Sequence, residues 1–133
     1  MADHTPGGGG MSWLRRHDTG LRDLTALIEA PVTSGRLLTR RRQDKLIVVL
    51  DELTFTDPPS NVTMPRLIAG WRPEYRIREL WFPSISTQGG GSYGISTAGY
   101  FNLYGAQAGQ AISARAEVEA LGAFPTTMMG VAA

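Results

Sequence analysis

Apolar residues recur along this chain in short runs cut by glycine and proline, and several runs alternate with the two-residue period of a half-buried strand. From Arg36 the chain turns β-like: Leu37 and Leu38 precede Arg40, Arg41 and Arg42, and Lys45 leads into Leu46, Ile47, Val48, Val49 and Leu50. The two halves meet at Gln43 and Asp44, which predicts a hairpin. Leu46 to Leu50 is apolar on both faces. It is therefore expected as the central strand, covered on one side by a second sheet and on the other by the N-terminal segment or a partner. Tyr75 to Phe82 places Tyr75, Ile77, Glu79 and Trp81 on one face and Arg76, Arg78, Leu80 and Phe82 on the other, as a strand near an edge or interface would, and Pro83 ends it.

Turn chemistry separates these runs. Pro31 to Gly35 is a turn cluster, and Thr56 to Asn61, with Pro58 and Pro59, is a loop because two prolines remove donors that a ladder needs. Gln88 to Ser92 holds three consecutive glycines and reads as a loop. Tyr93 and Ile95 then turn at Ala98 and Gly99 into Tyr100, Phe101, Leu103 and Tyr104, a second hairpin. The last strand spans Ala111 to Val118, with Ile112, Ala114, Ala116 and Val118 on one face, although its alanine content fits a helix as well. Leu21, Leu24, Leu27 and Ile28 have helical spacing, but Thr25 and Pro31 suit a short strand or turn equally.

Short strands at fairly regular spacing, without alternating long helices, predict an all-β fold: an antiparallel, jelly-roll-like β-sandwich of six to eight strands. The expected organisation is a flexible glycine-rich arm over residues 1–17, the sandwich over 18–119 and a C-terminal tail over 120–133 that docks on a neighbour. Gly7 to Gly10 give the arm too little apolar area to order on its own, while leaving its backbone free to approach another subunit closely.

Charge and composition narrow the function. Thirteen basic and twelve acidic residues leave a net charge of +1, so electrostatic capture of nucleic acid or of an anionic membrane is not expected. With no cysteine there is neither disulfide nor thiolate metal site, and stability must come from the core or from assembly. The chain has no apolar run long enough to span a membrane, and its polar start lacks the apolar stretch of a signal peptide.

Candidate chemistry is thin. The two histidines, His4 and His17, fall in the arm, where no rigid scaffold would hold them beside a serine. Paired with Asp3 and Asp18 they would supply two ligands each, short of a closed metal site. Asp44, Asp51, Glu52, Asp57, Glu74, Glu79, Glu117 and Glu119 fall at strand ends or on polar faces, where solvation explains them better than glycosidic cleavage. Gly89 to Gly91 lack the Lys-Ser/Thr of a phosphate loop. Arg40, Arg41 and Arg42 alternate between faces and suit a hairpin tip or subunit salt bridge. No enzyme, cofactor or metal is expected. The aromatic residues remain, and Trp71, Tyr93, Tyr100 and Tyr104 are the candidate contacts for a glycan or a second subunit.

Two stretches carry a resemblance. Asp18, Thr19, Gly20, Leu21, Arg22, Asp23, Leu24 and Thr25 are followed by Ser34, Gly35, Arg36, Leu37, Leu38, Arg40 and Arg41. Further on come Met64, Pro65, Leu67, Ala69, Gly70, Trp71, Arg72 and Pro73, then Tyr93 to Phe101. Their succession resembles short minor tail proteins of bacteriophages infecting actinobacteria, although Leu21 stands where that pattern usually has an aromatic. The resemblance implies a virion protein that assembles as a homotrimer with other virion proteins at the tail tip or along fibres and attaches to the host. A capsid decoration protein and a module binding host cell-wall carbohydrate are the alternatives.

Overall fold

The computed structural model describes residues 17–56, 64–83 and 90–133. It is built around the expected hairpin. Strands β2 (Val32–Arg42) and β3 (Lys45–Phe55) pair antiparallel from Arg42↔Lys45 to Leu37↔Leu50 and beyond, and the tight connection needs Gln43 at a φ of +54°. Alternation sends Leu46, Val48 and Leu50 of β3, with Leu37, Thr39 and Arg41 of β2, to the inner face, where all are buried. Ile47 and Leu38, on the other face, are buried too, as a strand apolar on both faces requires.

A bulge then corrects the phase. Leu53 and Phe55 would face outward if the two-residue period continued from Leu50. An extra residue at Asp51–Glu52, with Glu52 at a φ of +52°, swaps the parity and brings both inside. Opposite it, Gly35 has a φ of +81°, and a Cβ there would lie 2.1 Å from the Glu52 carbonyl oxygen, so glycine is required.

The remaining strands are β1 (Arg22–Asp23), β4 (Ile77–Pro83), β5 (Gly91–Ile95), β6 (Phe101–Tyr104), β7 (Ile112–Glu119) and β8 (Val131–Ala132). They form one antiparallel sheet in the order β6-β5-β4-β7-β3-β2-β1-β8 that curls into a half-barrel. Strand β4 makes the corner, because Ile77 to Trp81 pair with β5 whereas Phe82 and Pro83 pair with β7. The apolar core of the described residues lies within the curl, where Trp81, Tyr93, Ile95 and Leu103 of one limb join Leu46, Val48, Leu50 and Ile112 of the other.

The fold is thus all-β and antiparallel as expected, but the strands make one curled sheet rather than two separate ones, since β4 hydrogen-bonds into both limbs. The alanine-rich run is strand β7, its side chains small enough for Ala114 and Ala116 to sit opposite Leu50 and Val48. The ambiguous Leu21–Ile28 segment becomes β1 plus a 3₁₀ turn at Thr25–Leu27, tied down where the Leu37 amide donates to Thr25 Oγ1. Gly91 and Ser92, expected in a loop, already belong to β5. Residues 1–16 of the expected arm, and residues 57–61 of the proline loop, lie outside the described residues.

Residues 120–133, expected as a tail, run across their own domain. Met129 is in the core, Trp71 Nε1 donates to the Thr127 carbonyl at 2.9 Å, and β8 pairs with β1. Arg41 is the main clasp. Its guanidinium is buried and donates to the carbonyls of Gln43, Gly70, Ala123 and Gly122, and it lies 5.8 Å from the Phe124 ring.

Candidate functional site

The four aromatic candidates separate into two pairs. Trp71 and Tyr93 are core residues. Trp71 is fully buried, and Tyr93 packs on Phe101 with ring centroids 6.0 Å apart. The Tyr93 hydroxyl has no hydrogen-bond partner among the described residues, and burial, with a smaller effect from the charge of Glu79, pushes its pKa up to about 12. Neither ring offers a face to a ligand. Tyr100 and Tyr104 are half exposed on the outer side of the β4–β5–β6 limb, and Arg66 stacks over Tyr100 at 4.3 Å.

That outer side carries the clearest surface feature. Cross-strand register aligns Arg78, Gly94 and Asn102 in one row and Leu80, Ser92 and Tyr104 in the next. A further row is formed by Arg76 on the β4 side and by Ser96 and Tyr100, whose carbonyl accepts from the Ser96 amide. Small residues on the central strand and long ones on its neighbours leave an open trough of about 630 Å³, with Gly94 in its floor and Arg76, Arg78, Asn102 and Tyr104 in its walls. Glu79 also lines it, but strand alternation turns this residue toward the Tyr93 side.

One end of the trough is apolar. Leu80 and Phe82 are each 63% exposed and Tyr104 51%, and these three flank a second hollow of about 460 Å³ bounded by Gly90, Gly91 and Gly105. Among the described residues strand β6 is the last of its limb and pairs only with β5, which leaves its outer backbone edge without a strand partner beside this patch.

Several charged groups elsewhere are structurally engaged. Arg40 holds Asp18 through two hydrogen bonds, of 2.9 and 2.5 Å, and thereby keeps that carboxyl below the usual carboxylate range. Arg36 pairs with Asp51, Lys45 with Glu119, and Arg115 with Glu117. The arginine triplet therefore divides three ways: Arg40 to an ion pair, Arg41 to the core and Arg42 to solvent. Among the described residues no group of three His, Cys, Asp or Glu side chains is placed to hold a metal, and no helix is long and apolar enough to cross a membrane.

Sequence reasoning placed Arg76, Arg78, Leu80 and Phe82 on one face but gave them no role. The signal was there in the unbroken alternation of Tyr75 to Phe82. The opposite wall, Asn102 and Tyr104, required the pairing of β5 with β6. No family model, no curated protein and no solved structure matches this chain.

Proposed function

We propose that this chain is a structural component of a bacteriophage virion, a minor tail protein of the tail tip or fibre that works by assembling with copies of itself and with other virion proteins. The observation that carries the reading is the apolar patch of Leu80, Phe82 and Tyr104 beside the open edge of β6. In this reading the curled sheet is the open form of a jelly-roll-like sandwich, its two limbs facing across the core, and a second copy covers the patch. Burying the three side chains contributes on the order of 1–2 kcal/mol each, and pairing at the strand edge adds direction. The sequence resemblance of Asp18–Arg41 and Met64–Phe101 supports the same assignment, and the chain acts without chemistry of its own.

Light scattering on the full chain tests it. A mass of three chains of 14.4 kDa is expected, falling to one chain in a Leu80→Asp/Phe82→Asp double variant. A wild-type monomer at every concentration refutes assembly through this face. Gold labelling of intact particles at the tail tip, rather than over the head, separates the tail assignment from capsid decoration. The trough favours a second role, attachment to a glycan of the host surface.

A further inference from the structure

The trough on the outer face of β4–β5–β6 has chemistry that narrows its ligand. None of the ion pairs formed among the described residues uses Arg76 or Arg78, although both point from one face of β4 into the same open space. Arg76 and Arg78 stand two residues apart on that face, and an anion held there would accept paired hydrogen bonds in the plane of each guanidinium fork. Opposite them Asn102 offers an amide, and Ser92 and Ser96 offer hydroxyls.

Dimensions favour a chain molecule lying along the strands. The walls stand two strand spacings apart, about 9–10 Å, and the rows from Arg76 to Leu80 extend about 13 Å. The ligand is thus narrow, extended, hydroxyl-bearing and negatively charged. Those properties describe an acidic oligosaccharide. Nucleic acid fits less well, because a chain with a net charge of +1 and two arginines in the trough lacks the phosphate-tracking charge that such binding needs.

We infer that this trough binds an acidic glycan, with Arg76 and Arg78 reading its carboxylate or phosphate groups and Asn102 its hydroxyls. The inference deepens the attachment reading above and does not depend on assembly through Leu80 and Phe82. Gly94 provides the decisive variant. It does not take a positive φ, and a Cβ built there meets only the Ile77 carbonyl oxygen at 3.4 Å, an ordinary contact. Gly94→Thr therefore suits the strand and fills the floor of the trough without disturbing the fold.

The experiment is calorimetric titration of the full chain with tetragalacturonate, with neutral maltotetraose and with oligothymidylate, at low and high salt. Tetragalacturonate is expected to bind, to weaken as salt rises, and to lose about tenfold or more in affinity in both Gly94→Thr and Arg78→Ala. The thermal melt and solution mass of Gly94→Thr are expected to match wild type, which keeps a failure of binding distinct from a failure of assembly. Absence of binding to tetragalacturonate overturns the inference, as does unchanged affinity in Gly94→Thr. Equal affinity for maltotetraose overturns the role of the arginines, and tighter binding of oligothymidylate reassigns the trough to nucleic acid.

Discussion

Removing the Arg41 guanidinium tests how the domain is held closed. This side chain is 3% exposed, yet among the described residues it meets no carboxylate within hydrogen-bonding reach; four backbone carbonyls surround it instead. Burial lowers its pKa, and the charge of Asp44 partly offsets that effect, leaving the group charged at neutral pH. The four bonds join the Gln43 turn, the Gly70 turn and the Gly122–Ala123 segment, so one residue links three separate parts of the chain.

In Arg41→Ala the carbonyls lose donors worth roughly 1.5–3 kcal/mol each to a charged group, while the cost of burying the cation is recovered. The balance is a loss of about 3–5 kcal/mol, which corresponds to a fall in Tm of roughly 10–20 °C for a domain of this size. Arg41→Lys keeps the charge but loses the planar fork, and a loss of about 2 kcal/mol is expected. Urea unfolding followed by the fluorescence of buried Trp71 and Trp81 gives both values, with the midpoint moving and the slope unchanged. An Arg41→Ala variant within about 1 kcal/mol of wild type would refute the clasp.

Three further outcomes follow from local geometry. Tyr93→Phe removes a buried hydroxyl without a partner and is expected to stabilise the fold by about 0.5–1 kcal/mol in thermal melts. Because folding raises the Tyr93 pKa, the unfolded chain ionises first; wild-type stability therefore falls as pH rises from the ordinary phenol value of 10.0 toward about 12, and Tyr93→Phe loses this component of the alkaline titration. Gly35→Ala puts a Cβ against the Glu52 carbonyl and should cost about 2–4 kcal/mol, whereas Gly109→Ala, at a φ of +72° with open space around it, should cost about 1 kcal/mol; equal losses would discount the close approach at the bulge. Asp18→Asn should lose about 1 kcal/mol at neutral pH. The folded pKa of Asp18 is depressed, so its contribution is present above the usual carboxylate range and lost as pH falls through the folded value; a gap between variant and wild type that persists in the acid limit would assign the loss to something other than the Arg40 pair.

Elements whose partners are near in sequence were legible. The hairpin through Gln43–Asp44 and the Tyr93–Tyr104 hairpin announce themselves by alternation and turn residues, and Leu46 to Leu50 reads as central because both its faces are apolar. Pairing between distant segments was not legible. Periodicity assigns a strand its faces but not its neighbours, so the way β4 serves two limbs, which decides between one sheet and two, is invisible in the sequence. The role of Arg41 is hidden for a related reason: three arginines in a row read as surface until the register shows the middle one alternating inward beside Leu46. The aromatic signal overreached in the same way, since Trp71 and Tyr93 have the residue type of a contact but the environment of a core. The trough needed both the arginines of β4 and the small residues of β5, and only the β4–β5–β6 register brings them together.

The seam between β1 and β8 has a kinetic consequence. Arg22 donates to the Met129 carbonyl across 107 positions of sequence, whereas β2 and β3 pair through a two-residue turn. Closing so long a loop costs more entropy than closing the hairpin, and its contacts are rewarded only after the intervening strands are in place. During synthesis the hairpin is therefore the first unit able to form and the C-terminal seam the last. Until that seam closes, the Leu24 side of the core stays open to water and to other chains, so the interval between the two events is when this protein is most prone to misassociate.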